Sequence, residues 1–229
     1  MTTFTTEDRL NALEPIPFAG LVDLEQGSDE WKKARLGHVT ASCVADVMAK
    51  GKGGSEAITR KKYKMRLVAE RVTGQGQESF TSSAMEWGTM QEPFARQQYE
   101  VLHETFVEKT GFWKHPIHDY VGVSPDGLVG NDGLIEIKCP NSTTHLDYLI
   151  ADQVPTEYYK QMQCQMWVTN RQWCDFVSYD PRIRSDKNKL FVKRCVRDDA
   201  FIAEMEAEVL RFLNEVDDLL INLNGAENE

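Results

Sequence analysis

Residues 124–140, SPDGLVGNDGLIEIKCP, set Asp126, Glu136 and Lys138 around one short hairpin. Side chains two apart on a strand share a face, so Glu136 and Lys138 point one way and Ile135 and Ile137 the other. Whether Asp126 joins them depends on the turn. With Asn131, Asp132 and Gly133 as a three-residue loop and Gly133 left-handed, Leu128 pairs with Glu136 and Asp126 with Lys138, and all three share a face. A two-residue loop puts Asp126 on the opposite face unless a bulge at Ser124–Pro125 restores it. Pro125 cannot donate to a ladder, so a local break is expected there. Two carboxylates with no clustered thiols or imidazoles favour a hard cation, Mg²⁺ or Mn²⁺. Such an ion polarises a phosphodiester and lowers the pKa of a water. Lys138 would orient that water and offset the phosphate's charge; a general base needs a neutral amine, which adjacent carboxylates oppose. The alternative is a turn aspartate beside an exposed, solvated Glu–Lys face.

The elements around this hairpin follow from periodicity and caps. SDEWKKARLG reads as a short helix with Ser28 or Asp29 as N-cap and Gly37 as left-handed terminator. TASCVADVMAK begins another, with Thr40 or Ser42 at its N-terminus, and GKGGS (51–55) is a link without the spacing of a phosphate loop. A basic helix spans about 58–72, closed by Gly74, and a further helical region spans about 83–108, with Pro93 in its first turn or kinking it. Strands are expected at 120–124, 134–139, 173–180 and 189–196, with a helix at about 157–169. The last helix, about 199–223, carries an apolar stripe of Phe201, Met205, Val209, Phe212, Val216 and Leu219, read as core packing, with a subunit contact as the alternative. Residues 1–24 form an arm with a short helix around Glu7 to Leu13, followed by an extended EPIPF. The fold class is α+β, a small mixed sheet flanked by helices.

With 229 residues and 41% hydrophobic content, the chain suits one domain with a substantial core. Its net charge of −10 argues against a nucleic-acid ligand, but the average hides an asymmetry. Between Lys32 and Arg71 stand eleven Lys or Arg against three acids, a local +8 that leaves −18 elsewhere. A basic groove on an acidic body can hold a polyanion that the exterior repels. Five cysteines without a C-x-x-C pair argue against a disulfide framework, a structural zinc site and a clustered iron–sulfur site, and point to a reducing cytoplasm. His115 and His118 read as a surface turn. MTTFTTEDRL has neither a basic nor an apolar leader region, so no signal peptide is expected, and no apolar run is long enough to span a membrane.

SPDG…LIEIKCP matches the PD-(D/E)XK nuclease signature. Together with GSDEWKKARLGHVTAS, EWGTMQEP, YYKQMQCQMWVT and SYDPR, in order over about residues 25–182, it resembles the phage lambda exonuclease and YqaJ-like viral recombinase family. The resemblance implies a restriction-endonuclease-like core in a single nuclease domain, with 183–229 as a C-terminal strand and helix. It implies that Glu92, Asp126, Glu136 and the main-chain carbonyl of Ile137 bind Mg²⁺ (Mn²⁺ as substitute, two ions per site), and that Lys138 is the catalytic lysine. It further implies that Arg35, Ser42 and Gln161 bind a terminal 5′-phosphate. These assignments are chemically sensible: Arg35 offers a planar fork of donors, and Ser42 stands at an expected helix N-terminus. Gln161 and Gln165 share a helix face, whereas Gln163 points elsewhere. Without the family, Glu92 is a first-turn charge, Ser42 a plain N-cap and Arg35 a surface residue. Trp31, Trp87 and Trp167 read as core, as does Met85, whose alternative is a wedge that parts DNA strands.

The function so implied is 5′-to-3′ digestion of one strand of linear double-stranded DNA to leave a 3′ overhang. It would be carried out by a homotrimeric ring alongside a single-strand annealing protein, in a bacterial host's cytoplasm and of phage or prophage origin. Such a ring suits the acidic exterior only if segment 32–71 lines its channel. The rivals are a structure-specific endonuclease on the same core, which needs no 5′-phosphate pocket, and a catalytically silent DNA-binding module.

Overall fold

The computed structural model of the chain describes residues 20–76 and 82–225. The expected helix at Glu7 to Leu13 and the EPIPF segment lie outside the described residues. Strand β7 (Gly133–Lys138) is the middle of a five-stranded sheet ordered β3-β6-β7-β8-β9, formed with β3 (Val107–Glu108), β6 (Gly127–Val129), β8 (Trp173–Tyr179) and β9 (Leu190–Val196). β7 and β8 are parallel and the other pairs antiparallel. A parallel pair needs a crossover, supplied here by helices α5 (Ser142–Ala151) and α6 (Thr156–Thr169). A second mixed sheet joins β1 (Leu21–Val22), β4 (Phe112–Lys114), β5 (Val121–Val123) and β2 (Val39–Thr40), in that order. The fold is the expected α+β arrangement.

Both faces of the larger sheet are covered. Leu128, Leu134 and Phe176 pack with Met162 and Met166 of α6 and with Met205, Val209, Phe212 and Val216 of α7 (Asp199–Gly225). Val129, Ile135, Ile137 and Val177 pack on the other side against Ala95 and Tyr99 of α4 (Ser83–His103). Each fully buried side chain of this kind contributes about 1.5–3 kcal/mol relative to exposure. The apolar stripe of α7 is thus core packing. Pro93 lies inside α4, not in its first turn.

Caps explain several boundaries. Ser28 Oγ accepts from the Trp31 N–H at the start of α1 (Asp29–Ala34), and Gly37 is left-handed at φ +70°. Gly74 closes α3 (Ile58–Thr73) at φ +63°. Residues 40–50 depart from expectation: a 3₁₀ turn at Ala41–Cys43 leads into a four-residue helix, α2 (Val44–Val47), and neither carries a side-chain cap. Ser42 therefore stands within a turn and caps no helix. Helix α5 was not anticipated, although Asn141 accepts from the Thr144 N–H as its N-cap.

The hairpin register also differs. Gly127 pairs with Ile135, Leu128 with Leu134 and Val129 with Gly133, so the three-residue loop is 130–132 and Gly130 holds the left-handed position, φ +54°. Gly133 is needed in the strand because a Cβ there would lie 2.1 Å from the Trp173 ring. The shift is two residues, which preserves parity and leaves Asp126 on the face of Glu136.

The basic helix α3 does not present a free row of cations. Arg60 grips both oxygens of Glu215 on α7 at 2.7 and 2.8 Å, Lys64 joins at 2.7 Å, and Arg71 pairs with Asp217 at 2.7 Å. Lys61 and Lys62 are exposed. His115 and His118 form the expected surface turn, with His118 Nε2 2.6 Å from Glu206 of α7. Among the described residues no helix is long and apolar enough to cross a membrane.

The Arg60 fork, with Lys64 and against the cost of burial, pulls the Glu215 carboxyl from its ordinary 4.5 to about 2. A depressed carboxyl stabilises fully above its unfolded pKa and loses that effect as pH falls through the folded one. Glu215→Gln should lower stability at pH 7 by roughly 1 kcal/mol, as suits a solvent-screened network. Urea unfolding should show the two proteins converging between about pH 4.5 and pH 2. A constant gap across that range would contradict it.

Candidate active site

Glu136 is 1% exposed, so its charge needs partners. Three converge on it. Lys138 Nζ lies 2.5 Å from Oε1, Gln161 Nε2 donates to the same oxygen at 2.6 Å, and Gln165 Nε2 donates to Oε2 at 2.6 Å. The strand's two-residue period brings Lys138 to this side, and the helical i, i+4 spacing brings both glutamines. The alternative of an exposed Glu–Lys face is thereby removed. Burial disfavours the charge on Lys138, but Glu136 and Asp126 outweigh it and hold the ammonium above its ordinary pKa.

Asp126 arrives from the start of β6. Its Oδ2 accepts from the Ile137 N–H at 2.6 Å, which ties the two strands together beyond their ladder. Burial and the neighbouring carboxylates of Glu136 and Glu92 push its pKa well up, against the pull of Lys138. Glu92 comes from α4 and bonds Arg96, one turn on, at 2.5 Å; the same Arg96 Nη2 donates to the Asp126 carbonyl at 3.0 Å. Among the described residues no three acidic, histidine or cysteine side chains already form a cage for an ion. The donor chemistry nevertheless fits a hard divalent cation. The oxygens are carboxylates, burial and then their mutual repulsion raise the proton affinity of Asp126, and a cation would offset both. The nearby Cys139 thiol is pushed up to about 12 by burial and by these carboxylates, so no thiolate competes.

Asp126, Glu136 and Lys138 line one cavity of about 170 Å³ together with Arg35, Ser42 and Gln161. Arg35 caps the end of α1. Its guanidinium lies 4.0 Å from the centroid of the Trp31 ring, and its Nη1 donates to Ser124 Oγ at 3.0 Å. Trp31 Nε1 donates to the same oxygen at 3.1 Å. Burial lowers the Arg35 pKa, and among the described residues no carboxylate forms an ion pair with it. A desolvated cation lacking a counterion, in a cavity with amide and hydroxyl donors, suits an anion. Ser42 is exposed at the rim, its Oγ 3.5 Å from Thr40 Oγ1. Glu92 lies outside the lining, and Ile137 contributes its N–H while its side chain faces the core.

Several contributors escaped sequence reasoning. Trp31, read as core, is half-buried in the cavity wall; its place one turn before Arg35 was the available signal. Arg96 stands at i+4 from Glu92, a spacing that signals a pair. Ser124 and Gln26 carried no such signal; Gln26 Nε2 donates to the carbonyls of Thr110 and Pro125 at 3.0 and 2.7 Å. Trp167 is buried as expected, but Met85 is 55% exposed, beside Met90 in an open groove on α4. Trp87 is half-buried under Arg182, 4.5 Å from its ring centroid.

Residues 30–172 match the YqaJ-like viral recombinase domain family. The chain is similar to an alkaline exonuclease (LHK-Exo) from Laribacter hongkongensis: TM-score 0.81 and 45% identity, covering 88% of this chain and 98% of that one. That enzyme has also been crystallised in complex with dAMP. A phage-related exonuclease from Haemophilus somnus 129PT shares the fold, with TM-score 0.62 and 16% identity over 81% of this chain and 96% of its own. The uncharacterized protein R354 of Acanthamoeba polyphaga mimivirus is 26% identical over 185 residues, 74% of this chain; the chain spans only 31% of that relative's length.

The carboxylate repulsion has a measurable consequence. In EDTA, Asp126→Asn keeps an acceptor for the Ile137 N–H and removes one charge. Relief of about 1 kcal/mol should raise Tm by roughly 2–4 °C at this chain length. Any rise that Mg²⁺ gives to the wild type should be absent in the variant. A lower Tm in EDTA would mean that the repulsion is already compensated.

Proposed function

The chain belongs to the YqaJ-like viral recombinase family, and from that premise we propose that it is a Mg²⁺-dependent exonuclease. It digests one strand of linear double-stranded DNA from the 5′ end and leaves a 3′ overhang for phage-type recombination. The observation that carries this reading is the shared cavity. Arg35, a desolvated cation with no carboxylate ion pair among the described residues, lines the same 170 Å³ space as Asp126, Glu136 and Lys138. A pocket for a terminal phosphate beside a hydrolytic centre selects chain ends, and an endonuclease has no use for it. The similar LHK-Exo in complex with dAMP supports release of mononucleotides.

Asp126 and Glu136 would hold the ion, or two ions, with Glu92 and the Ile137 carbonyl alongside; Mn²⁺ could substitute. When bound, the cation polarises the scissile phosphate and lowers the pKa of a water. Lys138 stays an ammonium, because Glu136 and Asp126 outweigh its burial. It therefore orients the attacking water and stabilises charge on the phosphate; it is not the general base. The Gln161 amide has two N–H donors, and with one on Glu136 the other is available to the 5′-phosphate. Trp31 and Ser124 fix the plane of Arg35, leaving the rest of its fork for phosphate oxygens. Ser42 adds a hydroxyl at the rim. A homotrimeric ring and a single-strand annealing partner complete the proposal. The channel of such a ring would have to draw on cations other than Arg60, Lys64 and Arg71, which face α7.

The deciding experiment offers Mg²⁺ and two substrates, a 5′-phosphorylated linear duplex and a covalently closed circle. Only the linear DNA should be lost, from its 5′ ends. Lys138→Ala should bind DNA with metal yet cleave about 10²–10³-fold more slowly, the cost of removing one charge-stabilising donor. Cutting of the circle would make the protein an endonuclease, and normal turnover by the variant would remove Lys138 from the chemistry.

Arg35→Ala should erase the preference for 5′-phosphorylated over 5′-hydroxyl ends in competition assays. Unchanged discrimination would place the phosphate site elsewhere.

A further inference from the structure

We propose that Gln165 is a positioning residue that sets the orientation of the Glu136 carboxylate for its cation; the proposal rests on reading Glu136 as an ion ligand. Gln165 is fully buried, at 0% exposure, and its Nε2 donates to Glu136 Oε2 at 2.6 Å. Among the described residues its own Oε1 meets only the weak donor Cys174 Sγ, at 3.8 Å. The amide cannot flip, because Oε1 would then face a carboxylate oxygen at hydrogen-bond distance.

The two oxygens of Glu136 are held in different ways. Oε1 has Lys138 and Gln161, both half-buried in the cavity wall, so substrate can draw on them. Oε2 accepts from Gln165, which borders the same cavity but is fully buried on α6 and so is the less accessible of the three partners. An amide also leaves the carboxylate its full charge, whereas a second cation would cancel the attraction for a metal ion. Outer partners that aim a ligand in this way typically change metal affinity 10–100-fold when removed.

The same helix contains a control. Gln163 is equally buried, but it donates to the Val196 carbonyl at 2.8 Å and accepts from the Asp198 N–H at 2.9 Å, without touching Glu136. Loss of Gln163 tests buried-amide stability alone.

The test is Mn²⁺ binding by the full chain, without DNA, measured by calorimetry and by the paramagnetic resonance of free Mn²⁺. Gln165→Met should bind Mn²⁺ about 10–100-fold more weakly than wild type, while Gln163→Met should bind it normally even where its Tm falls. If Gln165→Met does not fold, Gln165→Asn, which keeps the amide but falls short of Oε2, should show the same weakening. Asp126→Ala separates this inference from the reading beneath it. If wild type binds Mn²⁺ and Asp126→Ala does not, yet the Gln165 variant binds as wild type, Gln165 has no positioning role. Equal weakening in the Gln163 and Gln165 variants would also overturn the proposal, by making the effect one of stability. Wild type without Mn²⁺ binding, or Asp126→Ala with normal binding, would remove the metal reading and this inference together.

Discussion

A carboxylate at 1% exposure costs several kcal/mol unless it is paired and hydrogen-bonded, and Glu136 imposes that condition on everything around it. It sits on the central strand of the larger sheet, where the strand period also aims Lys138. Its remaining partners must come from above the sheet. The parallel pairing of β7 and β8 obliges the chain to cross over, and the crossover contains α6, which brings Gln161 and Gln165 to the face where Glu136 points. On the opposite face Ile135 and Ile137 bind the sheet to α4, the helix that carries Glu92. Topology and site are therefore one requirement: the connection that permits the parallel pair also satisfies the buried charge.

The distribution of charge follows a related logic. A chain of net charge −10 attracts a polyanion only locally. The basic segment between Lys32 and Arg71 looked like the source of that attraction, yet Arg60, Lys64 and Arg71 are turned onto acids of α7, where they fasten two helices of the core. Arg35 is treated differently. It is stacked on Trp31 and steadied by a serine hydroxyl, neither of which neutralises it. Three of the segment's cations thus fasten the body, Lys32, Lys33, Lys50, Lys52, Lys61 and Lys62 stay exposed, and one desolvated guanidinium faces the cavity.

What could be read from the sequence divides along physical lines. The α3 helix, the 173–180 and 189–196 strands and the apolar stripe of α7 have long, regular patterns with Gly74 or Asp198 at their ends, and they lie where expected. The Asp126, Glu136 and Lys138 grouping was legible because parity alone decides it, and a two-residue error of register leaves parity intact. The register itself depended on which glycine the turn would take. That was settled by the Trp173 ring lying against Gly133, a contact between residues 40 positions apart that no local pattern announces. Helix α5 was missed although its Asn141 cap was in plain view, since its opening Ser-Thr-Thr run has weak helix propensity. The second sheet, with strands of two or three residues, is too short to show a period.

The neighbouring strand shows what a purely structural carboxylate looks like here. Asp175 on β8 is also 1% exposed, but a bidentate Arg194, at 2.8 and 2.9 Å, meets both its oxygens and the Tyr99 hydroxyl adds a third bond at 2.8 Å. Its charge is answered by a guanidinium of its own. Glu136, one pair along the same ladder, is answered mainly by amides, and its ammonium partner is shared, since Lys138 also serves the field of Asp126. Two carboxylates set against one lysine leave an excess of negative charge, while two of the three donors to Glu136 are neutral amides. Stability alone would favour cancelling that excess, as at Asp175. Its retention in a cavity that also holds Arg35 is the electrostatic feature on which the proposed cation and phosphate site rests.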